Sequence, residues 1–265
     1  AVLRRHPNLR AAFPAGAPVQ LVVDDVEVPL RTVEATAAEL PALLDAERAA
    51  PFDLDRPPLL RVLLARTAPG RHTLVLSNHH VLLDGWSMPL LLADLFDRYA
   101  GAAQEPVPPF RAHLAWLAGR DRDATRAAWA VALAGIDEPT LLVPAARGAA
   151  PVPPAEAGTT VAVGAFAADR GVTVNALVQA AWGIVLAKLT GRADVVFGTT
   201  VSGRPPELPG AERMVGLFVN TVPVRVRLDP REPLIGLVRR VQGEQAALLD
   251  HQHAGLAEIG AGALF

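Results

Sequence analysis

The chain is predicted to be a mixed α/β protein of the α+β sandwich type, folded as two lobes. Three observations carry the prediction. Strand-like and helix-like apolar patterns are both present in each half, a proline-rich stretch separates the halves, and 265 residues suffice for two lobes that each bury a core.

The elements follow in order. After a short N-terminal helix, VQLVVDD reads as a strand, because valines dominate it and two aspartates end it. TAAELPALLDAERAA reads as an amphipathic helix, LLRVLLART and HTLVLSNHH as strands, and WSMPLLLADLFDRYAG as a second helix. A long amphipathic helix is expected from about Phe110 to Leu133. Residues 136 to 156 hold five prolines and no helical or strand period, so they read as a linker. Beyond it come strand TTVAV, helix TVNALVQAAWGIVLAKLTG, strands DVVFGTTVSG and FVNTVPVRVRL, and helix PLIGLVRRVQGEQAALLDHQ. The expected domains are thus an N-terminal lobe over 1–135, the linker over 136–156 and a C-terminal lobe over 157–265.

Composition excludes several classes. With 25 Lys and Arg against 27 Asp and Glu, the net charge of -2 lacks the basic excess of a nucleic-acid binder. The absence of cysteine rules out disulfides, a thiolate nucleophile and Cys-ligated zinc, and suits a reducing cytoplasm. Mean hydropathy is +0.27, but the longest apolar stretch, NALVQAAWGIVLAKL, is broken by Gln179 and Gly183 and falls short of the roughly 20 residues of a membrane span. A soluble cytoplasmic protein is expected. The opening AVLRRHPNLR has neither an initiator Met nor a signal-peptide core, so residue 1 is expected to lie inside a longer polypeptide.

The chemistry concentrates in SNHHVLLDGWS, residues 77 to 87. If HTLVLSNHH is a strand to its end, Leu74, Leu76, Asn78 and His80 share one face and His79 points to the other, so the two imidazoles diverge. VLLDGW is then the turn into a helix that Ser87 is placed to N-cap. Gly85 permits a positive φ or the close approach of a ligand, and Asp84 is placed to lock the loop. An imidazole that titrates near neutral pH can serve as a general base. A zinc site from His79, His80 and Asp84 is disfavoured by the divergence of adjacent strand residues. GTTVSGRP lacks the G-x-S-x-G elbow and GAGALF lacks the third glycine of a dinucleotide fingerprint, which removes serine hydrolases and dehydrogenases.

NHHVLLDGWS resembles the HHxxxDG core motif of the condensation domains of nonribosomal peptide synthetases, within the chloramphenicol-acetyltransferase-like superfamily of acyltransferases. Four further stretches resemble that family's motifs in the family's order: RRHPNLRAAF its RHxxLRxxF motif, FRAHLAWL its tyrosine-and-tryptophan motif, VGLFVNTVPVRV its GxFVNT strand and HQHAGLAEI its late HQ motif. Together they cover nearly the whole chain.

The resemblance implies a pair of chloramphenicol-acetyltransferase-like lobes in a pseudo-dimeric V, incomplete at both ends, with His80 facing the cleft and Asp84 turned away from it. It implies that His80 is catalytic, either taking a proton from the attacking amine or hydrogen-bonding to it and orienting it, with His79 as a supporting neighbour. Asp84 is structural and paired with an arginine, which by motif is Arg10. Gly85 leaves room for a thioester. Trp86, Ser87, Trp116 and Asn220 match motif positions and are candidates to line the substrate channel, while His251 and His253, two apart near a helix end, are expected at the surface or facing a carrier. The implied reaction joins a donor acyl or peptidyl thioester to the amine of an acceptor aminoacyl thioester. By the same resemblance no cofactor or metal is expected to be bound; phosphopantetheine arms are expected on upstream and downstream peptidyl carrier proteins, next to an adenylation domain of the same synthetase, and neither nucleic acid nor membrane is expected as a partner. The family's first motif, a helix between TTVAV and GVTVN, and its last strands are missing, so the chain alone is expected to be inactive. Among relatives, an epimerization domain would continue as DGVSWRIL and a cyclization domain would carry DxxxxD. A partner-recruiting domain without catalysis would degrade the motif.

Overall fold

The computed structural model describes residues 1–136, 138–142, 157–262 and 264, so most of the expected linker lies outside the described residues. The chain forms two compact units. The first is Ala1–Arg120 with Arg204–Val219; the second is Asp121–Gly203 with Asn220–Phe265. This differs from the division expected at residue 135: the chain leaves the first unit at Arg120 and later returns to it.

In the first unit, α1 (Val2–Arg5) and a 3-10 turn (Pro7–Arg10) lead into β1 (Ala11–Ala12), paired antiparallel with β2 (Leu21–Val22). Only two residues of the strand expected over VQLVVDD take strand form. A three-stranded sheet follows in the order β3-β4-β5, from β3 (Leu30–Glu34), β4 (Leu60–Ala68) and β5 (Arg71–Asn78), with α2 (Leu40–Ala49) crossing between the parallel pair β3 and β4. β3 escapes the sequence reading because four of its five residues are exposed, so no apolar alternation marks it. α3 (Ser87–Tyr99) and α4 (Arg111–Ala118) complete the helices of this unit. Its core gathers Leu9, Ala11, Leu59, Leu60, Leu82, Leu83, Leu91 and Val215. Leu82 and Leu83 come from the middle of HHxxxDG, so the loop that bears the motif is pinned by its own apolar residues.

The expected long helix over Phe110 to Leu133 is two helices. Gly119 closes α4, and the Asp121 carboxylate caps α5 (Arg122–Ala132) by accepting from the Ala124 N–H at 2.9 Å. A cap in mid-pattern is where the chain changes units. The second unit continues with α6 (Gly164–Asp169), α7 (Val174–Thr190), β6 (Asp194–Val201), β7 (Asn220–Arg227) and α8 (Leu234–Ala247). TTVAV is not a strand, and GAFAAD supplies a short helix where a helix had been expected to be lost. β6 and β7 pair antiparallel, and α7 and α8 bury Ala180, Leu186, Leu237 and Val241 against Val195, Val224 and Val226. The described start of the expected linker is tied down. The Thr140 hydroxyl accepts the Val196 N–H at 2.9 Å, and the Thr140 N–H donates to the Leu264 carbonyl at 2.8 Å. Among the described residues no helix is long and apolar enough to cross a membrane.

Candidate active site

β5 ends at Asn78, so His79 and His80 lie in the turn and strand alternation does not reach them. The His79 N–H still donates to the Leu59 carbonyl at 2.9 Å, and its Nδ1 accepts the Val81 N–H at 3.1 Å. His80 is exposed, and its imidazole makes no hydrogen bond among the described residues. Gly85 is exposed as well. A Cβ there would meet nothing within 4 Å, and its φ is not positive, so of the two roles open to this glycine the structure leaves room for a close approach rather than a turn that demands glycine.

Asp84 is 1% exposed and uses both carboxylate oxygens. Oδ1 accepts the Ser87 N–H at 2.9 Å and Arg204 Nη2 at 3.2 Å; Oδ2 accepts the N–H groups of Phe218 at 3.0 Å and Val219 at 3.3 Å. Burial works to raise the Asp84 pKa, but the bonds from Ser87 and Phe218 and the Arg204 charge outweigh it and hold the carboxyl below its ordinary value. The same burial pulls Arg204 down against Asp84, although a guanidinium stays charged throughout. Arg204 also donates to the carbonyls of Ala211 and Met214, and its guanidinium carbon lies 3.9 Å from the Phe218 ring centroid.

The expected ion pair of Arg10 with Asp84 does not form. Arg10 donates to the carbonyls of Val23 and Asp24, and the Asp84 partner is Arg204, which sequence reasoning missed because it lies 120 positions away. Ser87 does not cap α3 either. Its hydroxyl donates to the Gly216 carbonyl at 2.8 Å and accepts the Gly216 N–H at 3.0 Å and Arg204 Nη2 at 2.8 Å, while Asp84 captures the Ser87 N–H. Gly216 is required at this point: a Cβ would stand 2.1 Å from the Phe110 ring.

Around this lock lies an aromatic layer. Phe110 meets Phe218 edge-on with centroids 5.1 Å apart, and His113 lies 4.5 Å from Phe218 and stacks on Trp116 at 5.8 Å. Burial, aided by Arg204, pushes the His113 pKa down to about 4, so the ring is neutral. His113 was also missed, although it stands inside FRAHLAWL. Trp116 is half-buried, with Arg120 over its ring at 4.3 Å, and faces the aromatic layer. Trp86 leaves 57% of itself exposed beside Gly85 and donates its indole N–H to the Glu212 carbonyl at 3.1 Å.

The remaining motif residues belong to the second unit. Asn220 donates to the carbonyls of Gln252 at 2.8 Å and Ala254 at 2.7 Å and accepts the Thr221 N–H at 2.9 Å, so its amide braces the HQH segment. His251 and His253 were expected at the surface or facing a carrier. Both are half-buried instead and reach the buried Thr125 hydroxyl, at 3.1 and 3.5 Å. Trp129 donates to the His251 carbonyl at 2.9 Å. Among the described residues no three His, Asp or Glu side chains gather as a metal-binding group.

A family model described as "Condensation domain" matches residues 1–262. The chain is 36% identical over 281 residues to one of the linear gramicidin synthase proteins of Brevibacillus parabrevis, a match that covers 98% of this chain and 5% of that protein. The X-domain from teicoplanin biosynthesis is a structural neighbour with a TM-score of 0.81 and 28% identity, over 97% of this chain and 63% of that one. The first condensation domain of the calcium-dependent antibiotic synthetase, solved with substrate analogue 2a, is another, with a TM-score of 0.73 and 25% identity over 99% and 67%. The chain therefore spans a small part of that synthase and just under two thirds of the X-domain chain.

Proposed function

The chain belongs to the condensation-domain family of nonribosomal peptide synthetases and has its chloramphenicol-acetyltransferase-like fold, and from that premise we propose that it forms an amide bond between two carrier-bound substrates with His80 as its catalytic group. The observation that carries the reading is the contrast within one motif. His80 is exposed with its imidazole uncommitted among the described residues, on a loop whose other end is anchored by Leu82, Leu83 and the Asp84–Arg204 pair.

In this reading the acceptor amine attacks the donor thioester carbonyl as His80 takes a proton from the nitrogen. The tetrahedral intermediate then collapses: the C–S bond breaks, the C–N bond is kept, and the imidazolium returns its proton to the departing phosphopantetheine thiolate. General-base catalysis contributes about 10²- to 10⁴-fold. Holding two tethered reactants in line supplies about 7 to 11 kcal/mol, so most of the acceleration comes from orientation. Gly85 gives a thioester room to pass close to the backbone, and Trp86 offers an exposed aromatic face beside it. The partners are peptidyl carrier proteins on both sides and a neighbouring adenylation domain, and the work is cytoplasmic. The test is condensation between two loaded carriers. His80→Ala is expected to lower the rate about 10²- to 10⁴-fold, and equal product from both proteins would overturn the reading.

A second reading is a domain of this fold that recruits a partner without catalysis; it draws on the similarity to the X-domain from teicoplanin biosynthesis, which has also been solved in complex with OxyB. Unchanged product with His80→Ala, alongside retained partner binding, would select it. Epimerization would instead appear as solvent deuterium entering the substrate α-carbon in the absence of an acceptor.

A further inference from the structure

We propose that Arg61, Phe52 and His79 form a positioning stack that sets the turn on which His80 is presented. Its catalytic consequence rests on the role given to His80 above; its geometry does not. The His79 Nδ1 accepts the Val81 N–H at 3.1 Å, a bond that ties together the residues on either side of His80. A ring nitrogen that accepts an N–H carries no proton, so the bond holds His79 as the tautomer protonated on Nε2. Were His79 protonated on both nitrogens, two donors would meet at this point and the tie would be lost.

The ring is held from behind. Phe52 meets His79 edge to face, with centroids 6.3 Å apart and planes at 89°. The Arg61 guanidinium carbon lies 4.1 Å from the Phe52 centroid. Arg61 is itself immobilised at the end of α2, where Nη2 donates to the carbonyls of Glu47 at 2.6 Å and Ala50 at 2.7 Å and Nε to the Glu47 carboxylate at 3.0 Å. An arginine projecting from β4 thus caps α2, and its flat face fixes Phe52, which fixes the imidazole. Lysine cannot replace it, because one ammonium cannot span three acceptors in a plane and still present a face to a ring.

The test combines ¹⁵N spectra of the His79 imidazole, hydrogen exchange of the Val81 amide and single-turnover condensation with loaded carriers. In the wild type His79 Nδ1 shows the signature of an unprotonated acceptor. His79→Ala speeds Val81 exchange about 10-fold and lowers kcat about 10-fold with KM within about twofold. His79→Asn, whose Oδ1 can accept an N–H two residues on, restores most of both. Phe52→Leu and Arg61→Lys weaken the acceptor signature and move exchange and kcat in the same direction by smaller factors. A proton on Nδ1, or Val81 exchange unmoved by His79→Ala, would overturn the stack. If His80→Ala leaves condensation intact, the catalytic reading falls while the spectra and the exchange still decide the stack.

Discussion

In the first unit a carboxylate that is 1% exposed collects four donors, one of them a guanidinium, and so closes the loop behind His80. In the second, a half-buried carboxamide, Asn220, reaches two carbonyls and one N–H and so fixes the HQH segment, helped by the neutral Thr125 hydroxyl and Trp129 indole. Both hubs join segments distant in sequence. The difference is charge: removal of a partner from a buried ion pair leaves a naked charge, whereas removal of a partner from a neutral network leaves an unsatisfied dipole. The HHxxxDG loop is therefore expected to be the more brittle of the two.

Substitutions in the two hubs can break or confirm this contrast. The largest effect is expected for Arg204→Met, which strands the Asp84 carboxylate and should lower the stability of the first unit by about 3 to 5 kcal/mol in urea unfolding. A loss below about 1 kcal/mol would mean that the Phe218, Val219 and Ser87 amides alone neutralise the charge.

Next in size is the response to pH. The unfolded chain protonates His113 near 6.5, while the folded ring resists until about 4, so its contribution is whole above pH 6.5 and is lost between 6.5 and about 4. That loss amounts to about 3 kcal/mol. Asp84 acts at lower pH: its depressed folded pKa gives stability that is present above the unfolded carboxylate range and lost as the pH falls through the folded value. His113→Phe should remove the His113 share of the upper limb and leave the lower limb unchanged. His6, whose pKa burial also lowers despite Asp94, contributes to the upper limb in both proteins, so the difference between them isolates His113. Parallel curves for the two proteins would refute the assignment.

The smallest effect belongs to the neutral hub. Asn220→Ala leaves the carbonyls of Gln252 and Ala254 without their donor and should cost the second unit about 1 to 3 kcal/mol in the same unfolding assay. A cost equal to that of Arg204→Met would erase the distinction between the hubs.

What was legible in the sequence was local. α3, α7, β4, β5 and β7 could be read because apolar periodicity is set by each segment's own residues, and HHxxxDG marked the loop. Three kinds of feature were not legible. β3 is exposed at four of its five positions and owes its form to pairing with β4. The break between α4 and α5 rests on Gly119, which closes one helix, and on the Asp121 bond that caps the next, within an apolar pattern that continues across both. The Asp84 partner was assigned to Arg10 by motif, whereas the pair is made by Arg204, and nothing short of the folded chain brings residues 84 and 204 together. Tertiary pairings of this kind leave no period in the sequence.

The return of Arg204–Val219 to the first unit has a bearing on how the protein is made. When the ribosome has completed Asp84, the arginine that will neutralise it is still 120 residues from synthesis. At about 5 to 20 residues per second, that is a wait of roughly 6 to 24 s. During that interval the HHxxxDG loop has its leucines but not its counter-charge, nor the Gly216–Phe218 backbone that closes over it. The HHxxxDG loop therefore cannot take its final form before Phe218 is made, and no single cut in the chain yields the first unit whole.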